Sequence, residues 1–220
     1  MIKGYSAQQL RAAEAPHLAA GVPLMQRAAA GLAAQIRTTS PRRVLLLVGT
    51  GNNGADALYA GAELAAENVE VSILATGSRV NDEAMSAAVD AGARVVDKIP
   101  AQVDVIVDGI LGTGTSASPA LRGGARAIVA EILPMLASRP HPLVVAVDIP
   151  SGIDPNDGSV PDPLVLPADV TVTFGGYKAG LLLEPASRLA GRVVLVDIGL
   201  GPDLEAFTPL VVTESDPPAR

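Results

Sequence analysis

Gly49-Thr50-Gly51-Asn52-Asn53-Gly54 is the stretch that decides the fold, because it joins an apolar run to an alanine-rich segment. Residues 44–48 are typical of a buried strand, and residues 54–66 have the apolar spacing of a helix. A glycine-rich turn between a strand and a helix is where a Rossmann fold binds phosphate, since glycine allows close backbone approach and the helix N-terminus offers free N–H groups. We therefore expect this turn to contact a phosphate or nucleotide. A turn that merely connects the two elements is the alternative.

Outward from that turn, short apolar runs alternate with helical segments. Several runs are apolar on both faces, which is typical of strands in a parallel sheet that is covered by helices on both sides. We predict an α/β fold, a Rossmann-like three-layer αβα sandwich with a mostly parallel sheet. The predicted strands are residues 44–48, 69–74, 93–96, 103–107, 143–147, 170–174 and 192–196, and the predicted helices after the turn are residues 54–66, 82–91 and 120–136.

The whole chain, residues 1–220, is predicted to form a single domain. Residues 1–40 are predicted to be a helical extension of two helices that are separated near residues 21–23, with Ser6 as an N-cap. Residues 212–220 are polar and contain proline, so we predict a flexible tail there.

Composition excludes several classes of function. The chain has 16 lysines and arginines against 23 acidic residues, and this net charge of -7 opposes binding to nucleic acid or to an anionic membrane. It has no cysteine and only two histidines, which excludes disulfides, thiolate metal sites and a histidine zinc cluster. Its start has no signal-peptide apolar block, and no apolar run is long enough to span a bilayer. We expect a cytoplasmic protein with a small-molecule nucleotide partner, and neither nucleic acid nor membrane.

Two further strand ends carry polar residues, in Asp108-Gly109-Ile110-Leu111-Gly112-Thr113-Gly114 and in Asp148-Ile149-Pro150-Ser151-Gly152. The carboxyl ends of parallel strands form the ligand crevice of an open sheet. We therefore expect Asn53, Asp108, Asp148 and Ser151 to converge there. For each aspartate taken singly, a helix cap or turn former is the alternative.

Two common nucleotide motifs are incomplete. No acidic residue follows the second strand to hold ribose hydroxyls, and Ser78 and Arg79 stand there instead. No Gly-Lys-Ser or Gly-Lys-Thr occurs, so the triphosphate cradle of a P-loop is absent.

Four stretches together resemble the YjeF N-terminal domain family, the NAD(P)HX epimerases. They are Gly51-Asn52-Asn53-Gly54-Ala55-Asp56, the Asp108 and Asp148 strings quoted above, and Thr173-Phe174-Gly175-Gly176-Tyr177-Lys178-Ala179-Gly180. They occur in family order, and the resemblance runs from about Ser6 to Gly201, including Leu10-Arg11-Ala12-Ala13-Glu14.

The resemblance implies an isomerase that interconverts the R and S forms of hydrated NADH and NADPH, called NAD(P)HX, in nicotinamide nucleotide repair. NAD(P)HX is then the substrate and not a redox cofactor. The resemblance also implies one potassium ion (K+) per subunit, a homodimer, and as a further partner an ADP- or ATP-dependent NAD(P)HX dehydratase, fused or separate. The implied potassium ligands are Asn53, Asp108 and Ser151, and the implied nucleotide contacts are Asn52, Asn53, Gly54, Ala55, Asp56, Gly112, Thr113, Gly114, Thr115, Ser116, Ala117, Ser118 and Asp148.

The chain departs from the family pattern in two places. Ala55 and Ala57 stand where the family usually has glycine, so the backbone must avoid positive φ at both. The family often has a basic residue soon after the position of Gly114, whereas the first arginine here is Arg122.

The implied reaction is a problem of proton transfer. Carbon 6 of the hydrated ring carries a hydroxyl beside the ring nitrogen, so epimerisation needs assisted loss and return of water or reversible ring opening. We expect Asp148 to transfer the proton, with Lys178 as a second charged catalytic partner or a phosphate contact. A solvated surface lysine is the alternative for Lys178. Two other functions stay open: a non-catalytic nucleotide-binding scaffold of the same fold, and an NADP-dependent oxidoreductase.

Overall fold

The structure is a computed structural model that describes residues 1–114, 118–137 and 140–214. Three short 3-10 helices, Leu133–Leu136, Ala179–Leu182 and Ala186–Arg188, supplement the main elements. In chain order the main elements are β1 (Ile2–Tyr5), α1 (Ala7–Ala19), α2 (Leu24–Arg37), β2 (Arg43–Val48), α3 (Asn52–Ala66), β3 (Glu70–Ala75), α4 (Asp82–Asp90), β4 (Arg94–Val95), β5 (Val105–Gly109), α5 (Gly123–Ile132), β6 (Leu143–Val147), β7 (Val170–Phe174), β8 (Tyr177–Lys178), β9 (Arg192–Val196), α6 (Gly201–Leu204) and β10 (Val211–Thr213).

The main sheet has seven strands in the order β4-β3-β2-β5-β6-β7-β9, and every pair in it is parallel. The chain first builds outward from β2 through β3 and β4, then returns to place β5 on the other side of β2. The sheet therefore reverses its direction of growth between β2 and β5, and ligands of open α/β sheets bind at such a point. The predicted Rossmann-like fold with a mostly parallel sheet is confirmed.

The core lies on both faces of this sheet because successive strand residues point to opposite sides. In β2, Leu46 packs with α2, α3 and α4 on one face, whereas Leu45 and Leu47 pack with α5 on the other. All three leucines are completely buried. Burial on both sides explains why the run is apolar throughout instead of alternating.

A second, three-stranded sheet was not predicted. β1 pairs antiparallel with β10 and parallel with β8, so the N-terminal extension begins with a strand before its two helices. The predicted N-cap at Ser6 is confirmed, since the Ser6 side chain accepts a hydrogen bond from the Gln9 N–H in a full capping box. β10 carries ordered structure to Thr213, past the boundary of 212 that the sequence predicts for a flexible tail. Residues 215–220 of that tail lie outside the described residues.

Two element boundaries differ from prediction where it matters for function. β5 extends to Gly109, because it pairs with β2 up to the partners Val48 and Gly109. α3 begins at Asn52 instead of residue 54, so the paired asparagines lie in its first turn. Among the described residues, no helix combines the length and the apolar character needed to cross a membrane.

Candidate active site at the carboxyl edge of the sheet

The turn between β2 and α3 is shaped by close backbone packing. A Cβ at Gly49 would collide with the carbonyl group of Ile110, and a Cβ at Gly54 would collide with that of Gly49. Gly51 is the N-cap of α3, and no side chain caps the helix. The N–H groups of the first turn and the positive end of the helix dipole are therefore available to an anion such as phosphate.

The predicted nucleotide contacts on α3 face different ways. Asn52 is exposed, whereas Asn53, Gly54, Ala55 and Asp56 are buried. The side chain of Ala55 packs in the hydrophobic core, so only the backbone of this residue can contact a ligand. Neither Ala55 nor Ala57 has a positive φ, as the sequence requires of these two residues.

Asn53 joins α3 to the ends of two strands. Its Nδ2 donates to the carbonyl of Leu111, at 3.2 Å, and to the carbonyl of Val147. The residue is only 7% exposed. Because Val147 ends β6 and Leu111 follows β5, this one amide ties the first turn of α3 to both loops.

Asp108 and Ser151 form the second connection between the loops. Ser151 Oγ donates to Asp108 Oδ1 at 2.6 Å, its N–H donates to Oδ2 at 2.8 Å, and its Oγ accepts from the Leu111 N–H at 2.8 Å. Asp108 is 0% exposed, and this burial raises the pKa of its carboxyl despite the opposing hydrogen bonds from Ser151 and the Ile110 N–H. No described lysine, arginine or histidine forms an ion pair with it.

Asn53, Asp108 and Ser151 together offer amide, carboxylate and hydroxyl oxygens around Leu111. Oxygen ligands of this kind suit a hard cation. Asp108 lacks a cationic partner among the described residues, so a bound cation would offset its buried negative charge. The described part of the chain holds no group of three or more His, Cys, Asp or Glu side chains that could hold a metal ion.

Asp148 and Lys178 form a buried ion pair beside this set. Asp148 has a φ of 66°, a left-handed conformation that aspartate tolerates better than most residues, and its N–H donates to the Val172 carbonyl at 2.7 Å. Its Oδ1 accepts from Lys178 Nζ, from Thr173 Oγ1 at 3.1 Å and from the Phe174 N–H at 3.2 Å. No described residue bonds its Oδ2, which is left for other partners.

Lys178 is not a solvated surface lysine. It is 3% exposed, and its Nζ also donates to the Phe174 carbonyl at 3.0 Å and to Thr173 Oγ1 at 3.2 Å. β8 holds it there by pairing with β1 in the register Tyr5 to Lys178. A buried ammonium needs this many partners to offset its lost hydration.

Asp56 lies near this pair but lacks its hydrogen bonds. Its Oδ1 is buried without any hydrogen-bond partner, and the residue is 6% exposed. Burial raises the pKa of the Asp56 carboxyl well above its ordinary value; the charges of Asp148 and Glu14 raise it further, and that of Lys178 lowers it. The family resemblance implies a nucleotide contact at Asp56 and assigns no role to Glu14.

Glu14 approaches the same cluster from α1. Burial is the main cause that raises the pKa of its carboxyl, with Lys178 lowering it and Asp148 raising it. The only sequence signal for this position is its inclusion in the family-like start Leu10-Arg11-Ala12-Ala13-Glu14.

The predicted nucleotide loop after β5 is described at both ends. Gly112 lies against Asn53, and the Thr113 carbonyl accepts from Arg11 Nη1 of α1 at 3.2 Å, while Gly114 is exposed. Thr115, Ser116 and Ala117 lie outside the described residues. Ser118 Oγ accepts from Arg122 at 2.7 Å, so the first arginine after the loop folds back to reach it.

Comparison with known proteins identifies the family. A family described as YjeF-related protein N-terminus matches residues 21–180. The NAD(P)H-hydrate epimerase of Clavibacter michiganensis subsp. michiganensis is 52% identical, with 94% of each chain covered. The bifunctional NAD(P)H-hydrate repair enzyme Nnr of Mycobacterium tuberculosis is 43% identical over 89% of this chain and 41% of its own length. The crystal structure of yeast ynu0, YNL200c, is 19% identical and has the same fold, with a TM-score of 0.73 over 98% of each chain. With the motif order, the fold and these matches in agreement, the chain belongs to the YjeF-related protein N-terminus family.

Proposed function

We propose that this protein is an isomerase that interconverts the R and S forms of NAD(P)HX, the hydrated forms of NADH and NADPH. The observation that carries the proposal is the buried Asp148–Lys178 pair, placed at the sheet edge beside the uncapped N-terminus of α3. A charged proton-transfer pair next to a phosphate-binding turn is what a reaction on a dinucleotide requires. The 52% identity to a protein named NAD(P)H-hydrate epimerase supports the same reaction.

The nucleotide is proposed to bind along three loops at this edge. The backbone of Asn52 to Asp56 takes a phosphate at the start of α3, and residues Gly112 to Ser118 are proposed as the further nucleotide contacts. Asp148 follows β6, the strand next to β5 in the sheet, and its Oδ2 is available to the hydrated ring. Arg122 donates a hydrogen bond to Ser118, and its guanidinium is the positive charge proposed to contact a phosphate in that loop.

Potassium is proposed to bind through Asn53, Asp108 and Ser151. Bound there, the ion would offset the buried charge of Asp108 and hold the loops after β5 and β6 and the start of α3 in one arrangement. The support is chemical: the fully buried carboxylate of Asp108 has no described cationic partner, Ser151 hydrogen-bonds to it, and Asn53 and Ser151 both hydrogen-bond to the backbone of Leu111 beside it.

The proposed chemistry is loss and return of water at carbon 6. When the C6 hydroxyl takes up a proton and leaves as water, the lone pair of N1 forms a C6=N1 double bond, which makes C6 planar. Asp148 Oδ2 takes a proton from the water that adds back, and the new C6–O bond forms as the double bond returns its electrons to N1. Lys178 holds Asp148 in place through Oδ1 and keeps Oδ2 as the reacting atom.

Further partners follow from the relatives and stay proposals. The Mycobacterium tuberculosis relative is named a bifunctional repair enzyme, and this chain matches 41% of it. We therefore keep an ADP- or ATP-dependent NAD(P)HX dehydratase, fused or separate, as the partner that consumes one epimer. The homodimer and the cytoplasmic location stay predictions.

An epimer-exchange assay tests the function. Purified R or S NAD(P)HX is incubated with the protein in potassium buffer and in potassium-free buffer, and the two epimers are separated over time. We expect exchange faster than the spontaneous background, reduced without potassium and lost in Asp148→Asn. Nucleotide binding without acceleration contradicts the proposal and supports a scaffold. A change at the nicotinamide absorbance band with candidate alcohols supports an oxidoreductase.

A further inference from the structure

We infer that Asp56 is a second catalytic residue, the acid that protonates the C6 hydroxyl so that it leaves as water while Asp148 acts on the opposite side of the ring. This inference rests on the epimerase activity proposed above and adds a residue to it. It gives a distinct role to a carboxyl group with a buried oxygen that no described residue hydrogen-bonds.

The first support is the lack of partners for the Asp56 carboxyl. Its Oδ1 is buried and bonded to nothing in the described part of the chain, although the residue is 6% exposed. A buried polar atom without a partner destabilises the fold, so such atoms are rare unless they have a use. The other oxygen, Oδ2, also has no described hydrogen bond, and it is not among the fully buried atoms. The carboxyl therefore has an oxygen open to a ligand.

The second support is the contrast with Asp148. Asp148 is matched by the ammonium of Lys178 and by two further donors on Oδ1, whereas Asp56 has no hydrogen-bond donor among the described residues. The charged groups that face Asp56 are Asp148, Lys178 and, from α1, Glu14. Two of these three are acidic, so burial and the net effect of its neighbours favour the neutral acid at Asp56. Two nearby carboxyl groups whose surroundings favour opposite protonation states form an acid and base pair.

The third support is the stereochemistry of the reaction. Epimerisation removes a hydroxyl from one face of carbon 6 and adds one to the other face. A single carboxyl group lies on only one side of a ring that is held still, so it cannot serve both faces. Asp56 on α3 and Asp148 after β6 come from different elements, which lets them flank a ring that lies between them.

The reaction consists of the loss of one water from C6 and the addition of another. The Asp56 carboxylic acid gives its proton to the C6 hydroxyl, the C6–O bond breaks with its electron pair leaving in water, and N1 donates its lone pair to form C6=N1. Asp148 Oδ2 then removes a proton from a second water, whose oxygen bonds to C6 on the other face while the C6=N1 pair returns to N1. One water is lost and one is gained, and a proton has passed from Asp56 to Asp148. Exchange with solvent resets the two carboxyl groups, and Glu14 is the titratable group that α1 places beside them.

The test compares Asp56→Asn with the wild-type protein. Asparagine matches the neutral acid in size and charge but cannot give up a proton in this way. We expect kcat for epimer exchange to fall by about 100-fold or more, the usual contribution of a general acid, with KM near its wild-type value. Asp90→Asn, the same change at an exposed carboxylate near the end of α4, is the matched control and keeps wild-type kcat and KM.

A second measurement does not depend on activity. Infrared difference spectra of the substrate-free proteins are recorded at neutral pH. The wild-type minus Asp56→Asn spectrum should contain the band of a protonated carboxylic acid, which the wild-type minus Asp90→Asn spectrum lacks. The contributions of Asp108 and Glu14, whose pKa values are also raised, cancel because all three proteins contain both residues.

Each contrary outcome is distinct. An active wild-type enzyme whose Asp56→Asn variant keeps its kcat, or raises KM alone, contradicts this inference and leaves the epimerase proposal standing. Absence of the acid band contradicts it as well. A wild-type protein with no epimerase activity contradicts the proposed function, and this inference falls with it.

Discussion

The side chain of Asn53 occupies the space in front of Gly112, so that a Cβ at position 112 would collide with Asn53 Oδ1. A Cβ at Gly114, two residues further along the same loop, would meet no atom of the described residues within 4 Å. The loop after β5 is therefore fixed against α3 at one glycine and open at the next. This contrast supplies a pair of matched substitutions.

Gly112→Ala should displace the Asn53 amide from the carbonyls of Leu111 and Val147. We expect a loss of about 1–3 kcal/mol in the free energy of unfolding from overpacking, together with weaker nucleotide binding. Gly114→Ala should stay within about 0.5 kcal/mol of the wild type. Urea unfolding and nucleotide titration of both variants check this, and equal effects at the two positions would contradict the packing argument.

Potassium should stabilise the fold through Asp108. If the ion binds only the folded state, saturation at about 100 times its dissociation constant adds roughly 2.7 kcal/mol to the free energy of unfolding. We expect the wild-type midpoint of thermal unfolding to be higher in potassium chloride than in choline chloride of equal ionic strength. Asp108→Asn should remove that difference, since it removes the buried charge. A potassium effect of the same size in the variant would place the ion elsewhere.

Stability should fall as the pH rises, through Asp56. Its pKa is raised in the folded protein above the ordinary 3.8, so the folded state holds the proton more tightly than the unfolded chain does. The stabilisation is thus fully present below pH 3.8 and is lost as the pH climbs through the folded pKa, at up to about 1.4 kcal/mol per pH unit for one group.

Asp56→Asn isolates this contribution, because the raised pKa of the Asp108 carboxyl gives a dependence of the same sign in both proteins. Urea unfolding across the pH range should show a shallower fall in the variant. The variant should also be more stable than the wild type in alkaline buffer, by about 0.5–2 kcal/mol. Parallel curves for the two proteins would show that Asp56 does not titrate differently in the folded state.

Loss and return of water predicts exchange of the C6 oxygen. Epimerisation in water enriched with oxygen-18 should place a solvent oxygen in the C6 hydroxyl with every inversion. Mass spectrometry of the separated epimers, compared with an enzyme-free sample, measures this. Inversion without label would indicate ring opening at the N1–C6 bond, and both carboxyl groups would then need other roles.

Most strands of the main sheet were predictable because they are apolar runs bounded by turn residues. The local sequences of Arg43–Val48 and Leu143–Val147 show this apolar pattern. β1, β8 and β10 do not, because they have only two to four residues and gain their hydrogen bonds from strands far away in the chain. Short strands of this kind are determined by tertiary pairing and not by local preference.

The features of the candidate site also divide into those that the local sequence reveals and those that depend on tertiary structure. The meeting of Asn53, Asp108 and Ser151 follows from parallel strand ends, which a sequence reveals. The left-handed φ of Asp148 and the burial of Lys178 do not, because one depends on the turn after β6 and the other on pairing between β1 and β8. Asp56 is the clearest case. Its lack of described hydrogen-bond partners depends on the residues that α1, the loop after β6 and β8 place around it, and these residues are distant from Asp56 in the sequence.

The pairing of β1 with β8 and β10 also sets an order in time during synthesis on the ribosome. Residues 2–5 leave the ribosome long before their partner strands, which begin at Tyr177 and Val211. The parallel strands β2 and β5 can pair before β8 is made, whereas Lys178 can reach Asp148 only after β8 has emerged. A nascent chain therefore carries the glycine-rich turn after β2 well before it carries the Asp148–Lys178 ion pair.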